Sequence, residues 1–245
     1  MTARARTDRY GFRLRGGENT RIEAFTDAAF AFAVTLLMIG GGHVPTNVSE
    51  LLAALRDLPG FATSFALLCL FWHAHYIWYR RYGIEDGRSV FLSLLLVFLV
   101  LVYVYPLRMM FSAAYMSIST GTAPSGFMPH AWSDMQVMFI IFGIAYASMS
   151  GVILLFHLHA RKLRDELELD VREREVTRAG ILRWTINVAV AVASALIAWA
   201  TPASASTIFF LLPALIYWTF AFTGPLLRRR LRRRLAAMDR VSARV

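Results

Sequence analysis

The chain has 245 residues, of which 57% are apolar, with a net charge of +10 and a mean hydropathy of +0.50. That balance excludes a disordered polar chain, and uncharged runs such as 58–79, 89–107 and 184–227 exclude an ordinary soluble domain. The lone cysteine, Cys69, leaves no intrachain disulfide to form.

The first 20 residues form a basic arm with Arg4, Arg6, Arg9, Arg13 and Arg15. It is too long and too charged for a cleavable signal, and no small-residue cleavage site follows. A membrane helix needs about 20 apolar residues, and six stretches meet that need: 21–41, 59–79, 89–111, 134–157, 183–201 and 206–227. The last long run is divided by the turn-prone segment Ala200-Thr201-Pro202-Ala203-Ser204. Between the fourth and fifth spans, His159 to Leu182 reads as a charged helical extension, with Leu163, Leu167 and Val171 spaced by fours. After 227 comes an arginine-rich tail.

Arginine placement sets the orientation. Arg80, Arg81 and Arg88 follow span two, and Arg161, Lys162, Arg164, Arg172, Arg174 and Arg178 follow span four. The alternate loops carry only Arg56 and Arg108. Basic residues stay on the cytoplasmic side, so both termini are expected there, which requires an even number of spans. The expected fold is an all-α integral membrane protein with six transmembrane helices, divided into a cytoplasmic basic arm (1–20), a membrane domain (21–227) and a cytoplasmic arginine-rich tail (228–245). The run Arg228-Arg229-Arg230-Leu231-Arg232-Arg233-Arg234 is better matched to anionic lipid headgroups than to nucleic acid.

Span one carries an ionisable residue well inside its apolar run, Asp27, and such residues pair with something and mark function. At 100° per residue, Ala31, Val34 and Met38 lie on its side. Phe25, Ala29, Phe32, Leu36 and Ile39 form a bulky stripe on the other side, spaced 4, 3, 4 and 3. The stripe fits helix packing or a hydrophobic pore lining repeated around an oligomer axis, and periodicity alone leaves both open. Span two offers donors to Asp27 in Trp72 and His73. His73 and His75 are two apart, so they do not share a helical face, and no carboxylate or cysteine completes a metal site.

The pattern Arg21-x-x-x-Phe25-Thr26-Asp27, followed by Phe30-Ala31 and Thr35-Leu36-Leu37, resembles the lysosomal potassium-channel family of transmembrane protein 175 and its prokaryotic relatives. The resemblance continues through Ser64-Phe65, Trp72-His73, Leu94-Leu95-Leu96 and Pro106, and beyond about residue 110 it is one of hydropathy. It implies a homotetramer whose first helices line a central pore. It further implies a constriction at Phe32, Leu36 and Ile39, an influence of Thr35 on ion preference, and a structural network of Arg21, Phe25, Thr26, Asp27, Trp72 and His73. Thr26 stands where the family has serine, and Phe32 stands where it has isoleucine or leucine.

The expected function is a potassium-permeable cation channel in the cell membrane, the inner membrane of a prokaryote. A proton-permeable channel of the same architecture and a secondary transporter are the alternatives. No converging acid–base or nucleophile set points to an enzyme, no cofactor is implied, and other monovalent cations are possible permeants. The chain lacks a Thr-Val-Gly-Tyr-Gly carbonyl filter, so ion preference falls to side chains.

Overall fold

The structure is a computed structural model that describes residues 6–39, 46–118, 132–202 and 207–242. The described residues are helical apart from the N-terminal arm and the connections. The helices are α1 (Arg21–Ile39), α2 (Val48–Arg56), α3 (Leu58–Tyr82), α4 (Gly87–Ile118), α5 (Trp132–Lys162), α6 (Val171–Ala200), α7 (Thr207–Leu215) and α8 (Thr219–Ser242). Among the described residues five of them, α1, α3, α4, α5 and α6, are long and apolar enough to cross a membrane. The chain is therefore a multi-pass helical membrane protein.

α5 and α6 are the most intimate pair, and small residues permit it. A side chain at Gly143 would meet the Ala195 Cβ at 2.8 Å, and one at Gly180 would meet the His157 ring at 2.5 Å. α4 packs against α5, α3 and α1, and α1 lies across α3 and α4. An aromatic core fills one end of the bundle, where Phe71, Trp78, Tyr79, Tyr82, Phe156 and Trp184 are all buried. The Trp78 indole donates to the Phe156 carbonyl (2.9 Å), and the Tyr82 hydroxyl meets the Thr177 hydroxyl (2.8 Å), while the Trp184 indole N–H has no partner among the described residues.

Two expectations need correction. The segment from His159 to Leu182 is not one helical extension. α5 ends at Lys162, the chain turns through Glu168 in the left-handed region (φ 49), and α6 starts afresh at Val171. Asp170 and Glu173 form a capping box there, each side chain accepting the other's backbone N–H (3.1 and 2.8 Å), which favours a new helix start over continuation. The expected span 206–227 is not one helix either. A 3-10 turn at Ile216–Trp218 joins α7 to α8, three residues after Pro213 of α7, while α8 continues through Pro225. The Ser194 hydroxyl donates to the Pro213 carbonyl (2.8 Å), serving an oxygen at the break. Residues 40–41 of the first expected span, residue 206 of the sixth, and 203–204 of the expected turn lie outside the described residues.

The N-terminal arm is folded back on the bundle. Asp8 accepts the N–H groups of Tyr10 (2.8 Å) and Phe12 (3.0 Å), and Gly11 takes the left-handed conformation (φ 74) that closes the turn. Phe12 is fully buried, edge-on to Tyr82 with centroids 5.3 Å apart. The other Asp8 oxygen accepts two bonds from Arg81 (3.0 and 2.7 Å).

Beyond the turn, Arg13 and Arg15 converge on Glu173, with Nη2–Oε2 distances of 2.9 and 2.8 Å, and the Glu173 side chain has no exposed surface. Glu173 lies in the charged first turns of α6, ahead of the apolar stretch. Burial pushes its carboxyl up, but the donors on Arg13, Arg15 and the backbone more than offset this and hold it down to about 2. A second tie lies beside it: His159 meets Asp86 at 2.7 Å while Asp86 accepts the Ser89 N–H at 2.8 Å.

Glu173→Ala strands two arginines against a buried face, with an expected loss of about 3 kcal/mol. In a detergent thermal melt that appears as a fall of roughly 6–12 °C. The carboxyl's depressed value means that its contribution is complete above the ordinary value of 4.5 and is lost as the pH falls from there toward 2. The wild-type melting temperature should therefore drop over that window by more than that of Glu173→Gln.

Candidate functional site

α1 starts with a capping box not anticipated from the sequence. The Thr20 hydroxyl accepts the Glu23 N–H (3.2 Å), and Glu23 accepts the Thr20 N–H (3.0 Å). The Thr-x-x-Glu spacing before an apolar run was the available signal. From there the helix presents three faces. Glu23, Thr26, Phe30, Ala33 and Leu37 are buried, spaced 3, 4, 3 and 4, and form the seam against α3 and α4. The Thr26 hydroxyl in that seam has no hydrogen-bond partner among the described residues.

The second face carries Asp27. Its Oδ1 accepts the Trp72 indole N–H at 2.8 Å, tying α1 to α3. Although it lies well inside the apolar run, Asp27 is exposed on the single chain and bonded at the same time. Trp72 is held for this bond by Tyr76, with rings 5.7 Å apart and 17° from parallel. The rest of the expected network is not assembled. His73 is exposed and approaches Trp72 and Tyr76 only through ring contacts (6.4 and 6.2 Å), and Arg21 bonds to none of the described side chains. The arginine at this end is Arg80 instead. It donates to the Gly16 carbonyl (3.2 Å), the Gly17 carbonyl (3.3 Å) and Asn19, and lies 5.3 Å from the Tyr76 ring.

The third face holds the bulky stripe. Phe25, Phe32 and Ile39 are 52%, 56% and 61% exposed, so the subunit's own helices leave them largely uncovered. Leu36 is half-buried and touches the core from the edge of this face, and Ala29 is half-buried. Thr35 is exposed, with its hydroxyl bonded back to the Ala31 carbonyl (3.2 Å). No ionisable group lies on this face between Phe25 and Ile39.

At its far end α1 is held by Arg108, which the charge pattern had marked only as a stray cation. Its guanidinium donates to the carbonyls of Leu37 and Met38 (3.3 Å to the latter), and to Asp57 at 2.9 Å. Terminal carbonyls have no donor within their own helix, and a cation there also opposes the negative end of the helix dipole. The two histidines of span two diverge as expected. His75 is buried against the Ser93 hydroxyl (3.0 Å), while His73 faces outward. Among the described residues no cluster of histidine, cysteine or carboxylate side chains suits a metal.

Residues 21–106, which include the whole of α1, match the family model described as "Endosomal/lysosomal potassium channel TMEM175". A protein of Marivirga tractuosa named as a potassium channel is 33% identical over 178 residues, which is 70% of this chain and 71% of that one. A crystal structure of the potassium channel MtTMEM175, a threonine-to-alanine variant in complex with a nanobody–MBP fusion, shares the fold with a TM-score of 0.77. That match has 25% identity and covers 98% of this chain and 100% of the other. With α1, Trp72 and Arg80 inside the matched residues and a relative 33% identical over more than two thirds of both chains, the chain belongs to the TMEM175 family, a family of ion channels and not of enzymes.

Proposed function

We propose that this protein is a potassium-permeable cation channel that works as a homotetramer, with α1 of each copy around a central axis. The observation that carries the reading is the uncovered stripe of Phe25, Phe32 and Ile39 on the helix where the family match begins. Bulky apolar side chains left open by their own subunit call for a partner surface or for a narrow dry passage. In a tetramer Phe32, Leu36 and Ile39 form successive apolar layers that gate by excluding water, and Thr35 supplies a hydroxyl between two of them. The Phe32 rings can turn their faces to a passing cation. Asp27, Trp72 and the rest of the motif (Arg21, Phe25, Thr26 and His73) serve as scaffold around the pore helix. That relatives are named potassium channels supports the choice of ion.

The same reading includes six crossings, the sixth made by α7, the 3-10 turn and the first turns of α8. The arm bonds to the start of α6, and Asp239 and Arg234 of α8 do likewise. Both ends of the described chain thus meet at one end of the bundle, which supports an even number of crossings. The abundance of arginine there supports the cytoplasmic side for both termini. In this scheme residues 1–20 are a cytoplasmic basic arm, 21–227 the channel domain and 228–245 an arginine-rich tail beside anionic headgroups. The location is a prokaryotic cell membrane.

Proteoliposomes loaded with potassium test the function. Wild-type protein should pass potassium, and Phe32→Ala should raise the flux severalfold by widening the apolar layer. A folded tetramer that passes no cation would sink the channel reading. Asp27→Ala should lower the tetramer yield on gel filtration, while Asp27→Asn, which keeps an acceptor for Trp72, should restore most of it. If Asp27→Ala assembles normally and abolishes flux, the division of α1 into scaffold and pore faces is wrong.

A further inference from the structure

α8 runs antiparallel to α6, and charge pairs mark the register between them. Farthest from the membrane, Arg172 donates to Asp239 at 2.6 Å. The next step pairs Glu175 with Arg234 at 3.1 Å. Leu231 is buried at the following step. The same register then sets Arg183 of α6 level with Arg228 of α8. Every charged step before this one joins a cation to an anion, and this step has no anion. Neither guanidinium makes an ion pair or a hydrogen bond with any described residue, and both are exposed. Arg183 lies over the Trp184 ring, 5.1 Å from its centroid, and the buried Trp184 indole N–H also has no partner among the described residues.

The place of this step says what the missing anion is. Arg183 stands where the apolar stretch of α6 begins and Arg228 where that of α8 ends, so both lie at the level of the headgroups. Phe222 and Leu226, 74% and 50% exposed, continue along α8 on the membrane side and offer apolar surface to an acyl chain. We propose that Arg183 and Arg228 together bind the phosphate of one anionic phospholipid of the cytoplasmic leaflet, gripped between α6 and α8. A guanidinium suits a phosphate oxygen in geometry as well as in charge. The proposal rests on the membrane orientation given above and goes beyond it in naming a discrete site where a diffuse basic surface would suffice for attraction.

The full chain, purified in detergent and titrated with phosphatidylglycerol, is read by native mass spectrometry for lipid retained per subunit. Arg183→Gln and Arg228→Gln should each weaken retention about fivefold. Arg183→Lys should keep most of it, and Arg240→Gln, farther along α8, should leave it unchanged. Retention by either glutamine variant equal to that of the wild type overturns the site, as does a fivefold loss in Arg240→Gln, which would mean diffuse attraction. Displacement of the lipid by inorganic phosphate at the lipid's own concentration would assign the site to a free anion and overturn it too. If Arg183→Gln fails to fold, Arg228→Gln decides the question. Potassium flux from wild-type proteoliposomes is read separately, so lost lipid retention with intact flux counts against this site alone, and intact retention without flux counts against the channel alone.

Discussion

The guanidinium of Arg108 closes the open end of α1, and the placement of the candidate pore helix depends on it. The last carbonyls of any helix lack donors of their own, and away from water an unsatisfied carbonyl is costly. Here Leu37 and Met38 receive theirs from α4, and Asp57, at the junction of α2 and α3, neutralises the cation that supplies them. One side chain therefore sets the height of α1 against three other helices. The opposite end is held by Arg80 on the backbone of Gly16 and Gly17 and by the Thr20–Glu23 box. Between these fixtures the Trp72–Asp27 bond sets the rotation of the helix, and that rotation leaves Phe32 and Ile39 open.

The cytoplasmic end obeys the same rule with more groups. Glu173 is a buried carboxylate, which is tolerable only because two arginines and backbone donors surround it. Since the same carboxylate also completes the cap of α6, the arm, the helix start and the reversal after α5 stand or fall together. Arg81 joins α3 to this assembly through Asp8. The chain leading into α1 is thus anchored on α3 and α6 before the helix begins.

Much of this was legible in the sequence, for physical reasons that can be named. The apolar runs that became α1, α3, α4, α5 and α6 were legible because a hydrocarbon layer imposes length and excludes charge. The Trp72–Asp27 bond was legible because a carboxylate inside such a run needs a donor, and few were on offer. What escaped was what distant residues decide. Arg21 and Arg80 are both arginines at the same end of the bundle, and only the fold shows which one reaches the α1 entry. The arm read as a basic extension because Asp8, Gly11 and Phe12 have meaning only beside Arg81, Tyr82 and Glu173. The spacing of Leu163, Leu167 and Val171 suits a continuous helix, but Asp170-x-x-Glu173 carried the opposite signal and outweighed it. Pro213, close before the 3-10 turn, likewise marked the broken final segment, whereas α8 runs on through Pro225.

The clasp on Glu173 has a consequence for synthesis. The arm is made before its partners: the carboxylate that Arg13 requires lies 160 residues further on, and the Asp8 partner Arg81 lies 73 residues on. α1 must likewise wait for Arg108, 71 residues beyond Leu37, before its end is satisfied. Nascent chains that stop short of α4 hold a first helix with a frayed end, and those that stop short of α6 hold an arm with nowhere to dock. The order of translation is therefore not the order of folding. The arm waits for residues made long after it, and its docking marks a subunit in which α3 and α6 have already come together.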